Sequence, residues 1–467
     1  MPGTSSTATA RRLLSGEARA LLTRLDRVQP FAVRETMLPA AALSPAAQIG
    51  IERTLVAGRR ELRGRVRAYL AWLDGEGGAA TPAEMQRRFT ALRWRFNDVL
   101  GQVDLFQQAI TQRSEHEIGL WLSGMDVVAA DALDVPGRLF EPPPVVCYLD
   151  RGPGAAIRRA RTRLPGGGSS PVAIVRVPRE RMVGGYGLSS SLCHEVGHQG
   201  AASLGLVPSL RSEVRRTRTR TTGDELPLPW ALFSRWMPEI VADVWAIGKL
   251  GVTATMGLIG VLSLPRRFVF RLDPFDSHPF PWIRVHLGLA VGALLHPDPQ
   301  WRALGDLWSA LYPPDGLDAA SRTLLASLIS AAPDLAALLV AHRPRGHEEF
   351  TLGGLFRPAE RSPRRLLALY ASARLRPELL ERAAPTLAFA ALGQARAAGL
   401  ISPEAESRRA EALLRRWALR STLATTAACA RSAPPALGPA VPRKAVPVGG
   451  GLPLRTTLPE EESWAHH

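Results

Sequence analysis

Lysine is almost missing from this chain. Of 58 basic residues only Lys249 and Lys444 are lysine, so a net charge of +16 and a pI near 11.0 are carried by arginine. The arginines are dispersed and no nucleic-acid-binding motif accompanies them, so no nucleic-acid partner is expected. The densest cluster, residues 211–220 (RSEVRRTRTR), reads as a solvated loop. Cysteine is scarce as well. Cys147, Cys193 and Cys429 show no paired spacing, which argues against a disulfide framework and for a reducing compartment. The N-terminal residues have no apolar core of signal-peptide length, and the apolar runs at 256–264 and 287–295 are too short to span a bilayer. A cytoplasmic protein without a membrane span is the expectation. No internal repeat of solenoid type is present.

With 467 residues, of which 46% are hydrophobic, the chain can bury a large core without disulfides or metals as staples. Residues 1–135 read as a helical domain. Leu92, Phe96, Val99, Val103, Phe106 and Ile110 recur at steps of three and four, as do Leu55, Leu62, Val66, Tyr69 and Leu73. After Pro136 the texture changes. Residues 142–149 (PPPVVCYL) and 171–178 (PVAIVRVP) are short, β-branched and bounded by Pro or Gly, and predict strands. A glycine-rich bend at 183–187 (VGGYG) then leads into a helix that Ser189, Ser190 or Ser191 is placed to cap and that Gly205 and Pro208 end. Residues 317–423 are helical again, with Ser402 and Pro403 as N-cap and first-turn residue of the last helix. The Pro/Gly-rich segment 426–467 shows no sustained period and reads as disordered. The expected fold is α+β and mainly helical: a helical domain (1–135), a central core with a small sheet (136–300), a C-terminal helical region (301–425) and the tail.

Within the core lies residues 191–199, SLCHEVGHQ. On a helix, His194 and His198 stand one turn apart on one face and aim two imidazoles at one point, as zinc requires. Glu195 is turned about 100° away, where it flanks the ion as a general base for water rather than ligating it. Cys193 is turned away by a similar angle and is expected to be a small buried residue. A catalytic zinc needs a third ligand. Residues 234–246 (SRWMPEIVADVWA) place Glu239 and Asp243 four apart near the start of a helix whose first turn suits Pro238. Glu239 is the third ligand in this reading, and Asp243 accepts the N–H of a ligating histidine and fixes its tautomer.

His-Glu-x-x-His followed by Glu-x-x-x-Asp resembles the signature of the gluzincin clan of zinc metallopeptidases. A further stretch, residues 275–285 (FDSHPFPWIRV), looks like the Ser/Thr-His-Pro element of the CAAX-prenyl-protease and heat-shock-protease type of that clan. The resemblance covers 191–285. It implies that His278 and Arg284 face the zinc and help bind substrate and oxyanion; a structural turn histidine before Pro279 is the other reading of His278. It also implies that a peptide substrate pairs with an edge strand beside the active-site helix, for which Ala173, Val175 and Val177 are the candidates unless that strand is interior. Tyr186 either reaches the cleft or is an ordinary turn aromatic. The expected activity is zinc-dependent hydrolysis of peptide or protein substrates. The alternatives are an inactive zinc-binding scaffold and a polyanion-binding protein. A further expectation is that residues 452–458 of the tail lie in the cleft and restrain activity.

Overall fold

The computed structural model describes residues 3–152, 154–165, 168–179, 185–222 and 226–432. Met1–Thr425 form one compact unit; of the second, Thr426–His467, only the continuation of the last helix to Ser432 is described. Residues 452–458 lie outside the described residues, as do residues 183 and 184 of the glycine-rich bend.

Four helices come first: α1 (Gly3–Asp26), α2 (Phe31–Arg34), α3 (Pro45–Asp74) and α4 (Pro82–Thr111). Ser44 and Thr81 cap α3 and α4 by accepting the N–H of Ala47 and Glu84, and proline follows each cap, where its missing N–H leaves no bond unmade. The apolar stripes of α3 and α4 are buried and each serves two cores. Leu62, Val66, Tyr69 and Leu73 meet Leu92, Phe96 and Val99 and the α1 residues Leu14 and Leu21. Ile51 and Leu55 join Phe106 and Ile110 against a β-sheet.

That sheet follows α5 (His116–Leu133) and consists of β1 (Val145–Asp150), β2 (Ala156–Arg158) and β3 (Ala173–Pro178). Its order is β1-β3-β2, with β1 parallel and β2 antiparallel to β3. Side chains alternate across it: Val146, Tyr148 and Ile174 face the α3/α4 core, while Cys147, Leu149, Ala173, Val175 and Val177 face the main core. Burial on both faces explains why β1 and β3 read as continuous apolar runs. The outer edge of β1 is closed by side chains. Gln112 exchanges two hydrogen bonds with the Leu149 backbone at 2.7 and 2.8 Å, Asp126 Oδ1 accepts from Cys147 N at 2.7 Å, and Arg113 donates to Cys147 O at 2.6 Å. β3 is paired on both sides, so the edge strand is β2, not the strand holding Ala173, Val175 and Val177.

The rest is helical: α6 (Gly185–Ser203), α7 (Leu206–Thr222), α8 (Leu228–Leu250), α9 (Val252–Leu262), α10 (Arg266–Val269), α11 (Pro281–Leu295), α12 (Gln300–Leu311), α13 (Ala319–Ala341), α14 (Pro363–Leu375), α15 (Glu378–Arg382), α16 (Pro385–Ala397) and α17 (Pro403–Ser432). Ser402 Oγ accepts from Ala405 N at 3.3 Å, the cap its sequence suggests. The helix α6 begins earlier than expected, so Ser189–Ser191 are not its caps; Ser190 Oγ instead donates to Ala254 O of α9 at 2.9 Å. The arginine cluster at 211–220 is helix α7 rather than a loop. Among the described residues one helix, α13, is long and apolar enough to cross a membrane by length and composition. It buries Leu325, Leu328, Leu335 and Leu339 in the main core.

Helix α8 also starts earlier than Pro238 suggested, at Leu228, which leaves that proline inside the helix. A proline there removes the N–H that would bond the carbonyl four residues back. That carbonyl, Ser234 O, accepts instead from Arg211 Nε of α7 at 2.7 Å, and Arg235 O accepts from Arg211 Nη2 at 3.1 Å. One residue of the arginine cluster therefore repairs the helix turn immediately before Glu239.

Candidate metal centre

The two helices that carry the site touch through glycine. A Cβ on Gly197 of α6 would lie 2.8 Å from Trp245 Cβ and 3.0 Å from Ala242 Cα of α8, and one on Gly200 would meet the Trp245 ring at 2.4 Å. The backbones approach this closely only because both positions lack a side chain. Glycine inside a helix sacrifices about 1 kcal/mol relative to alanine, whereas overpacking a tight contact costs roughly 1–3 kcal/mol, so the contact decides the sign. Gly197→Ala is expected to lower the midpoint of urea unfolding and weaken metal retention, as the added methyl drives α6 from α8. An unchanged midpoint with full metal content would show that the helices do not need this approach.

That approach brings His194, His198 and Glu239 together as a group able to hold a metal ion, with one ligand atom from each lying within 4.8 Å of the others. His194 Nε2 is 3.3 Å from Glu239 Oε2, and His198 Nε2 is 3.4 Å from Glu239 Oε1. These separations are long for charge-assisted hydrogen bonds. Two imidazoles and a carboxylate this close together are a donor set that suits a divalent ion. The imidazole rings stand nearly perpendicular, at 84°. Asp243 Oδ1 lies 2.8 Å from His194 Nδ1 and fixes its tautomer with Nε2 turned to the centre.

The two residues that the resemblance adds are also at hand. Arg284, on α11, grips Asp243 through Nε at 2.7 Å and Nη2 at 2.9 Å, and its Nη2 is 3.3 Å from Glu239 Oε2. In this arrangement the guanidinium holds the carboxylates in place. His278 stands at the rim, 55% exposed at its side chain, with Nε2 3.7 Å from Glu239 Oε2. Its Nδ1 is 3.0 Å from Asp276 Oδ1, which also accepts the His278 backbone N–H at 2.9 Å. With Nδ1–H directed at Asp276, Nε2 can donate to an oxyanion only in the imidazolium form. Tyr186 is elsewhere. Its hydroxyl donates to Gly393 O at 3.1 Å and Arg396 covers its ring, so it does not reach the cleft. Cys193 is buried, and burial raises its thiol to about 12.

The charged groups of the centre shift one another's protonation. Burial pulls His194 down, but the Asp243 and Glu239 carboxylates outweigh it and raise the imidazole to about 9. Burial, reinforced by the charge on His194, lowers His198 to about 4. Burial works against the Glu239 carboxylate, yet its hydrogen bond and charge attraction to His194, with Arg284, hold it at about 2. Asp243 is likewise held below the usual range, as Arg284 and His194 overcome burial. Burial raises Glu195, the change that suits a general base working near neutral pH. Because the raised value keeps His194 protonated below about pH 9 and a ligand must be neutral, metal affinity is expected to rise about tenfold per pH unit from pH 6 to about 9 and then level off. Competition with a chromophoric chelator at several pH values measures this; a flat profile would refute the proton competition.

His194, Glu195, His198, Glu239 and Asp243 face a cleft of about 750 Å³. Its walls include segments that the sequence did not single out: Gly154–Ile157 around β2, Ala254, Thr255 and Leu258 of α9, and Val207 of α7. The only available signal for α9 was its apolar run, and three residues of β2 are too few to show a period. No family model, no curated protein and no solved structure matches the chain.

Proposed function

We propose that this protein is a zinc-dependent peptidase. The observation that carries the reading is the cluster of His194, His198 and Glu239 at the wall of an open cleft, with Glu195 beside it. Bound there, a zinc ion would supply Lewis acidity and lower the pKa of water towards about 7. Two imidazoles and one carboxylate leave a position for water and substrate, the pattern of catalytic rather than structural sites.

The chain's own residues do the rest. Glu195 takes the proton of the attacking water and delivers it to the departing amine. Asp243, clamped by Arg284, holds His194 with Nε2 presented to the centre. His278, with Nε2 turned towards Glu239 at the rim, is placed to donate to the oxygen on which negative charge grows whenever both its ring nitrogens carry protons. An extended substrate adds to the open edge of β2, whose Ala156 and Ile157 line the cleft, while α9 offers an apolar wall to its side chains.

The test is cleavage of unfolded proteins and peptide libraries by the purified full chain, before and after stripping with chelator and after return of zinc. Cleavage that disappears with the chelator and returns with zinc supports the reading. A zinc-loaded protein that cleaves none of these substrates would overturn the peptidase reading and leave the non-enzymatic alternatives.

A further inference from the structure

A second constellation of reactive groups, sharing no residue with the metal ligands, lies where the first turns of α7 meet the end of α13; Pro208 borders both its cavity and the metal cleft. Ser209 and Glu213, four residues apart, share a face of α7. His342, the residue after α13, reaches both: its Nε2 is 3.0 Å from Ser209 Oγ, and its Nδ1 is hydrogen-bonded to Glu213 Oε2. As a carboxylate Glu213 only accepts, so Nδ1 carries the proton, Nε2 is an acceptor and the Ser209 hydroxyl donates to it. His342 is 4% exposed, whereas Ser209 and Glu213 are half-buried. All three border a cavity of about 870 Å³. The hydroxyl therefore has a base on one side and open space on the other.

Nucleophile, imidazole and orienting acid in this order are what activates a serine, whatever the fold that supplies them. Ser209 also sits in the first turn of a 17-residue helix, whose dipole favours negative charge there. Arg216, Arg343 and Arg345 border the same cavity against the carboxylates of Glu213 and Glu348. The surplus is positive.

We propose that Ser209, His342 and Glu213 form a second catalytic site, an acyl-transfer centre for carboxylic esters or thioesters that carry an anionic group. Ser209 Oγ forms a bond to the acyl carbon as its proton passes to His342 Nε2 and the carbonyl π pair moves onto oxygen. Collapse breaks the bond to the alkoxide or thiolate, which leaves with the proton from His342. Water, deprotonated by the same nitrogen, then releases the acid and restores the serine. Glu213 stabilises the imidazolium and keeps its Nδ1 tautomer in place.

Diisopropyl fluorophosphate tests this on the full-length protein, because it phosphorylates an activated serine with loss of fluoride. Intact-mass and peptide mapping are expected to show one adduct, at Ser209, absent from Ser209→Ala and formed at least about 100-fold more slowly in His342→Asn, the loss expected when a general base is removed. Glu213→Gln, at a half-exposed position, gives the same comparison should His342→Asn not fold, as judged by circular dichroism. Chelator is expected to leave the labelling unchanged. A p-nitrophenyl ester of succinic acid is expected to turn over with a higher kcat/KM than p-nitrophenyl acetate. No adduct at Ser209, or one that forms at the same rate in the histidine and glutamate variants, would show that the three residues only tie α7 to α13. Equal kcat/KM for the two esters would overturn the anionic preference.

Discussion

Replacing Glu195 by glutamine is expected to leave zinc bound and to lower peptide hydrolysis by at least about 10²-fold, with 10⁴-fold within the range for loss of a general base. The amide keeps the shape of the side chain but cannot accept a proton. Glu195 ligates nothing in this arrangement: the metal-ligand group consists of His194, His198 and Glu239. The variant therefore separates chemistry from metal retention. Burial raises the Glu195 carboxyl, so the uncharged glutamine also relieves an unfavourable charge and is not expected to destabilise the fold. Kinetics on a chelator-sensitive substrate, together with metal analysis of the same sample, make the measurement. A variant that hydrolyses at the wild-type rate would remove Glu195 from the mechanism.

His198→Ala and Glu239→Ala are expected to lose the metal. Each removes one of three ligands, and the loss of affinity is expected to exceed the 10–100-fold typical of an outer partner, which is the range expected for Asp243→Asn. The two ligand variants should differ in stability. His198 is held near 4 and is neutral at pH 7, so its removal leaves no unpaired charge. Glu239 faces the cations His194 and Arg284, and its removal leaves them short of a partner, the more destabilising outcome. Metal-to-protein ratios after dialysis, and thermal melts with and without zinc, test the ranking. Retention of a full equivalent of zinc by Glu239→Ala would remove it from the ligand set.

The helices were legible because their signals are local. Ser402-Pro403 announces the start of the last helix, and the stripes of α3 and α4 announce the buried faces. The strands at β1 and β3 were legible as β-branched runs between breakers, whereas β2 was not, being too short to carry a pattern. The resemblance offered β3 as the edge with an interior strand as the alternative, and the pairing of β2 makes the alternative the correct one. Pro238 misled for a related reason. Residue preference alone cannot tell a first-turn proline from one tolerated inside a helix, because what makes it tolerable here is Arg211, a residue of another helix.

From the sequence alone it followed that His194 and His198 share a helix face and that Glu239 and Asp243 share another, since spacing against a period of 3.6 residues fixes direction around one helix axis. The convergence of the two faces was not in that spacing. It depends on Gly197 and Gly200 lying against Trp245 and on Arg284 arriving from α11 to hold Asp243; the meeting of His342 with Ser209 and Glu213, 133 and 129 residues away, was equally beyond any local spacing. Periodicity describes one helix at a time, whereas distances between helices are set by how side chains from different parts of the chain fill the space they share.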